Sequence, residues 1–359
     1  MTTPDVLTVT SLNCRYPNVP VLDNISFSVR EGEMVCLLGA SGEGKTTLLK
    51  SIAGLLAFEQ GRITIANQKV GDSTAVALVP NSVGMIFQDD VLFPHLTVME
   101  NITFGLRDKS ADEMKAITED VAALMRLEAF TRCYPHELSK GQHQRVAIAR
   151  TLACQPKLLL LDEPFSNIDS QIRYQLLSEL RKILKQRQIA ALFATSDRED
   201  AFTFADHLIL IHDGGIVQQG VSAALYYRPV SRYVADFLGN SNYLPVRVTG
   251  DRYWQSFLGD HQSLRSLNLP LGGYDWLVRP QEIALALDAE SSAIVVDRLF
   301  MGNSNVYHVR VNDMELQVQT GNWFEPGQQV RLSIRTDQPV FFPPTVVDTQ
   351  VPQTQRQQA

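Results

Sequence analysis

The sequence is poor in cysteine, has no surplus of positive charge and contains no long apolar run. Its four cysteines, Cys14, Cys36, Cys133 and Cys154, are widely spaced. That spacing matches neither a zinc site nor a disulfide framework, so free thiols in a reducing compartment are the expectation. No apolar stretch approaches the roughly eighteen residues that a membrane-spanning helix needs. No basic start precedes an apolar core, so no secretory signal is expected. Lys plus Arg number 32 against 39 Asp plus Glu, a net charge of -7. The basic footprint of a nucleic-acid-binding protein is missing, and no nucleic-acid partner is expected. The length of 359 residues leaves room for two or three domains.

The most informative stretch that is present runs Gly39-Ala40-Ser41-Gly42-Glu43-Gly44-Lys45-Thr46-Thr47. It satisfies the phosphate-loop pattern of Gly, four residues, Gly, Lys, then Ser or Thr. An apolar run, Met34 to Leu38, precedes it, and a helical stretch, Thr47 to Ala53, follows. Gly42 and Gly44 permit a tight turn that aims several N–H groups at phosphate oxygens. The helix N-terminus adds a favourable field for an anion. Lys45 can reach the β- and γ-phosphates, and the Thr46 hydroxyl can ligate Mg²⁺.

The rest of the chain supplies alternating strands and helices. Residues 6–30 alternate as strands, with Tyr16 beside Pro17. That tyrosine suits either stacking on adenine or a half-buried place in a strand. Val83–Phe87 reads as a buried strand ending at Gln88, and residues 89–96 as an exposed loop rich in apolar side chains, fit to lie under a partner. Thr97 with Glu100, and Ser110 with Glu113, have capping-box spacing; the second opens a helix expected to reach about Glu128. Residues 89–138 thus form a mostly helical insert, and with the following helix a helical subdomain of about 89–156. Leu138-Ser139-Lys140-Gly141-Gln142 opens that helix, where free N–H groups can meet an anion. Leu158–Leu161 is an apolar run ending in Asp162 and Glu163, as a buried parallel strand would. Carboxylates at the C-terminal end of such a strand lie where open α/β sheets bind ligands. A helix over Ser170–Leu184, a buried strand over Ile189–Ala194 and a hairpin turning at Asp213-Gly214 follow. An α/β domain over residues 1–238 is therefore expected. Residues 239–342 show short alternating segments, predicting a small all-β domain. Residues 343–359 are rich in Gln and Pro and are expected to form a disordered tail.

These pieces, in this order and spacing, resemble an ATP-binding-cassette (ABC) transporter ATPase of the bacterial importer type. The resemblance covers residues 5–238 and rests on Gly39–Thr46, Gln88, Leu138–Gln142, Leu158–Glu163 and Ser166–Asp169. Val278-Arg279-Pro280-Gln281-Glu282-Ile283 resembles the opening of the oligonucleotide-fold-like (OB-like) domain carried by such importers. The resemblance implies a P-loop α/β nucleotide-binding domain followed by that β domain. It also implies a head-to-tail homodimer holding ATP and Mg²⁺. Gly39, Ser41, Gly42, Gly44, Lys45, Thr46 and Thr47 would bind phosphates, with Thr46, Gln88 and Asp162 around the metal. Tyr16 would stack on adenine. Ser139, Gly141 and Gln142 would cover the γ-phosphate of the other subunit, and Asp169 would connect the two sites. Glu163 would be general base, assisted by Gln88. Integral membrane permease subunits would be direct partners and a periplasmic or extracellular binding protein an indirect one. The expected place is peripheral, on the cytoplasmic face of the inner membrane.

Two positions depart from the family pattern. Lys140 stands where the signature usually has Gly, and Ser196 where it has a switch histidine. A serine hydroxyl is shorter and carries no charge near neutral pH, so slow turnover, or an ATP-gated dimerising module, is an alternative to a full motor. A non-transport cassette protein is the other rival. The stretch Val234–Pro245 is most like the ferric-iron importers, with sulfate or molybdate, polyamine and sugar as alternative cargoes. The β domain is expected to extend the dimer interface or to sense a small molecule.

Overall fold

The strand Met34–Leu38 is buried at every residue, as an apolar run covered on both faces must be. The structure, a computed structural model, describes residues 4–16, 19–72, 75–76, 82–88, 92–166, 168–336 and 338–344. The Tyr16 side chain, residues 89–91 of the apolar loop, Asn167, and the tail from residue 345 lie outside the described residues.

The chain divides into two units, Met1–Leu225 and Tyr226–Ala359. In the first, β1 (Asp5–Tyr16) and β2 (Val19–Arg30) pair antiparallel, followed by β3 (Met34–Leu38), α1 (Lys45–Ile52), β4 (Gln60–Ile65), β5 (Gln68–Asp72) and β6 (Ala75–Val76). Then come β7 (Val83–Ile86), α2 (Val98–Thr103), α3 (Ala111–Leu124), α4 (Lys140–Ala153), β8 (Leu158–Asp162) and α5 (Ser170–Arg187). The unit continues through β9 (Ala190–Thr195), α6 (Arg198–Phe204), β10 (His207–His212) and β11 (Gly215–Val221). One sheet has the order β2-β1-β4-β5-β6, and the other β11-β10-β3-β9-β8-β7. Within the second, β10, β3, β9, β8 and β7 run parallel and β11 returns antiparallel. Leu7, Ile25 and Val29 of the first sheet share a core with Leu37 and Leu192 of the second and with Leu48 and Ile52 of α1.

Both capping boxes form: the Thr97 and Ser110 hydroxyls accept from the N–H groups of Glu100 and Glu113. The helix expected to reach Glu128 stops at Leu124. Arg126 adopts a left-handed φ of 56°, and the Leu127 N–H reaches back to the Ala122 carbonyl at 2.7 Å. This turn sends Leu127 into the interior at 0% exposure, and burial of that leucine outweighs another helical turn. Strand β7 is only half-buried except at Ile86.

The second unit contains α8 (Arg232–Leu238), preceded by α7 (Ser222–Tyr227), which crosses the division. Ten strands follow: β12 (Asn242–Gly250), β13 (Tyr253–Ser256), β14 (Gly259–Gln262), β15 (Gly272–Val278), β16 (Ile283–Leu287), β17 (Ile294–Phe300), β18 (Asn305–Val311), β19 (Met314–Thr320), β20 (Val330–Ile334) and β21 (Val340–Phe342). Their sheets are β14-β13-β12-β15-β21, β16-β20 and β17-β18-β19. Trp254, Trp276, Tyr307 and Val318 fill a shared core.

The division falls before the expected boundary at residue 238, so α8 belongs with the strands. The reason is Arg279, 2% exposed, whose guanidinium donates to the carbonyls of Tyr226, Ala235, Gly239 and Asn240. Ala235 also packs with Leu277 and Phe342. Among the described residues no helix is long and apolar enough to cross a membrane.

Candidate active site

The phosphate loop leaves β3 at Gly39 and enters α1 at Lys45. Gly42 and Gly44 have φ of 91° and 84°, a backbone region that side-chain-bearing residues rarely enter. At Gly44 a Cβ would also sit 2.8 Å from Leu22 Cδ2. Ser41 and Gly42 are exposed at the open side of the turn, and Gly39 and Thr47 are buried. The Lys45 side chain is 5% exposed. Its Nζ donates to the carbonyls of Gly39 and Ala40, at 2.9 and 2.8 Å, and lies 4.0 Å from Glu163 Oε1. Burial pulls this ammonium below its usual pKa; the carboxylates of Glu163, Asp162 and Glu43 act the other way.

At the end of β8, the Thr46 hydroxyl donates to Asp162 Oδ1 at 2.9 Å. Burial raises the Asp162 carboxyl above its usual value, the Thr46 hydrogen bond opposes that, and neighbouring Glu163 adds to it. Thr46 and Asp162 thus present hard oxygen donors side by side, a set that suits Mg²⁺. Held there by Thr46 and Asp162, the ion would supply charge neutralisation to the phosphates of ATP. Glu163 has a left-handed φ of 43°, held by its N–H donating to the Ala194 carbonyl at 3.0 Å. Strain of this kind concentrates at functional sites. Ser196, one residue past β9, is exposed and lines a cavity of about 290 Å³ together with Glu163. Gln88 lies two residues past β7, exposed, on the same C-terminal edge of the parallel sheet.

The signature forms the start of α4. Ser139 is its N-cap and Gln142 closes a capping box, its Oε1 accepting from the Ser139 N–H at 2.8 Å. Lys140 is exposed. Arg145, farther along α4, anchors the helix through Glu179 Oε2 at 2.7 Å and the Met125 carbonyl at 3.3 Å. A Cβ on Gly141 would lie 3.6 Å from Ile172 Cγ2, in the first turn of α5. Asp169 caps that helix, its Oδ1 accepting from the Ile172 N–H at 3.1 Å. The signature and the Asp169 loop are therefore neighbours. Among the described residues no hydrogen bond or ion pair joins Ser139, Gly141 or Gln142 to Lys45 or Asp162.

Two features escape sequence reasoning. His212, at the end of β10, pairs through Nδ1 with Glu43 Oε1 of the phosphate loop at 2.9 Å. Arg173 of α5 pairs with Asp197 and Asp200, which follow Ser196. The only signal for the latter was a cation one helical turn beyond Asp169.

The ABC transporter family model matches residues 22–166, and a TOBE domain model matches residues 276–342. The sulfate/thiosulfate import ATP-binding protein CysA 1 of Rhizobium meliloti is 37% identical over 283 residues, covering 77% of this chain and 80% of its own. The Fe(3+) ions import ATP-binding protein FbpC of Brucella melitensis is 32% identical over 348 residues, covering 94% and 96%. Among solved structures, cbiO1 from Clostridium perfringens, part of the ABC transporter complex cbiONQ, is 28% identical with a TM-score of 0.58, covering 62% of this chain and 91% of that one. The chain belongs to the ABC transporter family, as an ATP-binding and ATP-hydrolysing subunit of the importer type that couples to a membrane permease.

Proposed function

We propose that the chain hydrolyses ATP at a site completed by a second copy of itself, and that the energy drives import of sulfate or thiosulfate. The observation that carries the catalytic part is the meeting of Lys45 and Thr46 with Glu163 and Asp162 at one sheet edge. In this reading Gly39–Thr47 cradle the phosphates, Lys45 neutralises the β- and γ-phosphate oxygens, and Thr46 and Asp162 hold Mg²⁺ with Gln88. Glu163 takes a proton from the attacking water. Ser196 donates a neutral hydrogen bond where the family uses imidazole. Ser139, Gly141 and Gln142 of the second copy close over the γ-phosphate, and Asp169 links the two sites. Tyr16 contacts adenine.

The β domain extends the dimer contact. What supports this is an exposed apolar group on it, Phe300, Met301 and Trp323, at 65%, 63% and 58% exposure. Patches of this kind mark interaction surfaces.

Sulfate or thiosulfate replaces the ferric iron expected from Val234–Pro245, because the sulfate-importer relative is the more identical, 37% against 32%. Ferric iron is the second reading, favoured by the breadth of its match, 94% of the chain. Cargo is chosen by the permease and, through it, by an extracytoplasmic binding protein. The test is ATP-driven uptake into vesicles holding this subunit with its co-purified permease. Labelled sulfate accumulation supports the first reading, and ferric accumulation without sulfate overturns it.

A further inference from the structure

We propose that Arg173 is a positioning residue for hydrolysis: its guanidinium ties the helix behind the Asp169 loop to the loop carrying Ser196, and so fixes Ser196 against Glu163. The inference rests on the reading of Glu163 as general base given above. Arg173 lies one turn into α5, the helix that Asp169 caps. Its Nη2 is 3.3 Å from Asp197 Oδ2 and its Nε is 3.4 Å from Asp200 Oδ1. Asp197 follows Ser196 directly and is the N-cap of α6: its Oδ1 accepts from the N–H groups of Glu199 and Asp200, at 2.8 and 3.2 Å. One oxygen of Asp197 thus sets the start of α6 while the other is held by Arg173. The Asp197 N–H in turn donates to Thr195 Oγ1 at 3.0 Å, which closes a tight turn around Ser196.

The geometry gives Arg173 a role that charge alone would not. The cavity beside Glu163 is lined by Ser166, Arg173, Thr195, Ser196 and Asp197, so the guanidinium spans the wall between the two loops. Among the described lining residues it is the one cation. A serine hydroxyl reaches less far than an imidazole, so Ser196 depends more on its backbone being held in place. A planar fork with separate Nε and Nη2 donors holds two carboxylates in a fixed relation, which a lysine ammonium does not.

Asp200 provides a readout that loss of packing would not move. It is 7% exposed, and it faces Arg173 on α5, Asp197 and Glu199 on its own helix, and Cys36 on β3. Burial pushes its carboxyl up to about 6, and Arg173 is the group that holds it down.

The experiment measures kcat, KM for ATP and the pH dependence of ATPase activity, per folded protein, for the parent, Arg173→Gln, Arg173→Lys and Arg173→Gln/Asp200→Asn. Glu163→Gln serves as the control for the underlying reading. The double variant lacks the uncompensated buried carboxylate and keeps the test valid if Arg173→Gln folds poorly. Small misplacements near a reacting group cost about tenfold or more in rate, so kcat is expected to fall by about that factor in the double variant, with KM within about twofold. Arg173→Lys should recover only part of the loss. In Arg173→Gln the acid limb should move to higher pH. Parent-like kcat in the double variant, with a pH profile in Arg173→Gln superimposable on the parent's, would overturn the proposal. Parent-like activity in Glu163→Gln would instead overturn the reading of the site, whatever Arg173 does.

Discussion

Thr46 and Asp162 share the shortest polar contact between the phosphate loop and β8, 2.9 Å, and it joins the two groups expected around Mg²⁺. Thr46→Val keeps the shape but removes the hydroxyl, leaving a buried carboxylate without its donor. Losing such a partner typically costs tenfold or more in metal affinity, so the Mg²⁺ concentration for half-maximal ATPase should rise by about tenfold; a Mg²⁺ titration reads this directly. Asp200 gives a pH prediction. Its carboxyl titrates near 6 when folded, against an ordinary value of 3.8. Between those values the folded chain binds a proton that the unfolded chain has released, so this residue makes stability fall as pH rises from 3.8 to about 6. Each pH unit that separates the folded from the unfolded value is worth about 1.4 kcal/mol. The melting temperature of the parent relative to Asp200→Asn should therefore drop across that window and level off above it. At this scale the loop glycines, Lys45, Asp162 and Glu163 were legible because their spacing is local. Arg173 with Asp200, and Glu43 with His212, were not. Each pair joins segments far apart in sequence, and no periodicity marks either.

Among the elements, α4 has its N-cap at Ser139 and α8 has the buried Arg279 guanidinium at its end, and each contact can be removed by one substitution. Ser139→Ala removes the cap of α4 and its reciprocal box with Gln142; loss of such a cap costs about 0.5–2 kcal/mol. The same hydroxyl is also proposed to meet the partner's nucleotide. Ser139→Ala should then lower ATP-dependent dimerisation by more than its small stability loss explains, as sedimentation with and without ATP would show. Arg279→Met should be far more damaging to stability. It strips donors from four carbonyls at the end of α8 and before it, and each buried carbonyl left without a donor costs about 1–3 kcal/mol. Thermal unfolding should show the second unit melting early while the ATP site of the first still binds nucleotide. The capping boxes at Thr97 and Ser110 were readable because a box is a four-residue signal. The end of α3 was not, because burial of Leu127 decides it and that depends on what packs there. The transfer of α8 to the second unit likewise follows from Arg279, a residue the sequence marks only by its motif.

At the scale of the molecule, the parallel sheet brings Lys45, Thr46, Asp162, Glu163, Ser196 and Gln88 to one edge. The signature and the Asp169 loop lie side by side, Gly141 against Ile172. With the signature supplied by a second copy, as proposed, activity should rise more steeply than protein concentration until dimers saturate. Phe300→Asp, placed on the exposed apolar group of the β domain, should raise the concentration at which this occurs. Whether Glu163 is the base that drives turnover is decided by steady-state ATP hydrolysis by the parent and by Glu163→Gln at concentrations that allow dimers. A general base contributes about a hundredfold or more, so a loss of at least that size is expected. The variant should keep ATP binding and form a longer-lived ATP-dependent dimer. Parent-like turnover in Glu163→Gln, or hydrolysis independent of protein association, would contradict it.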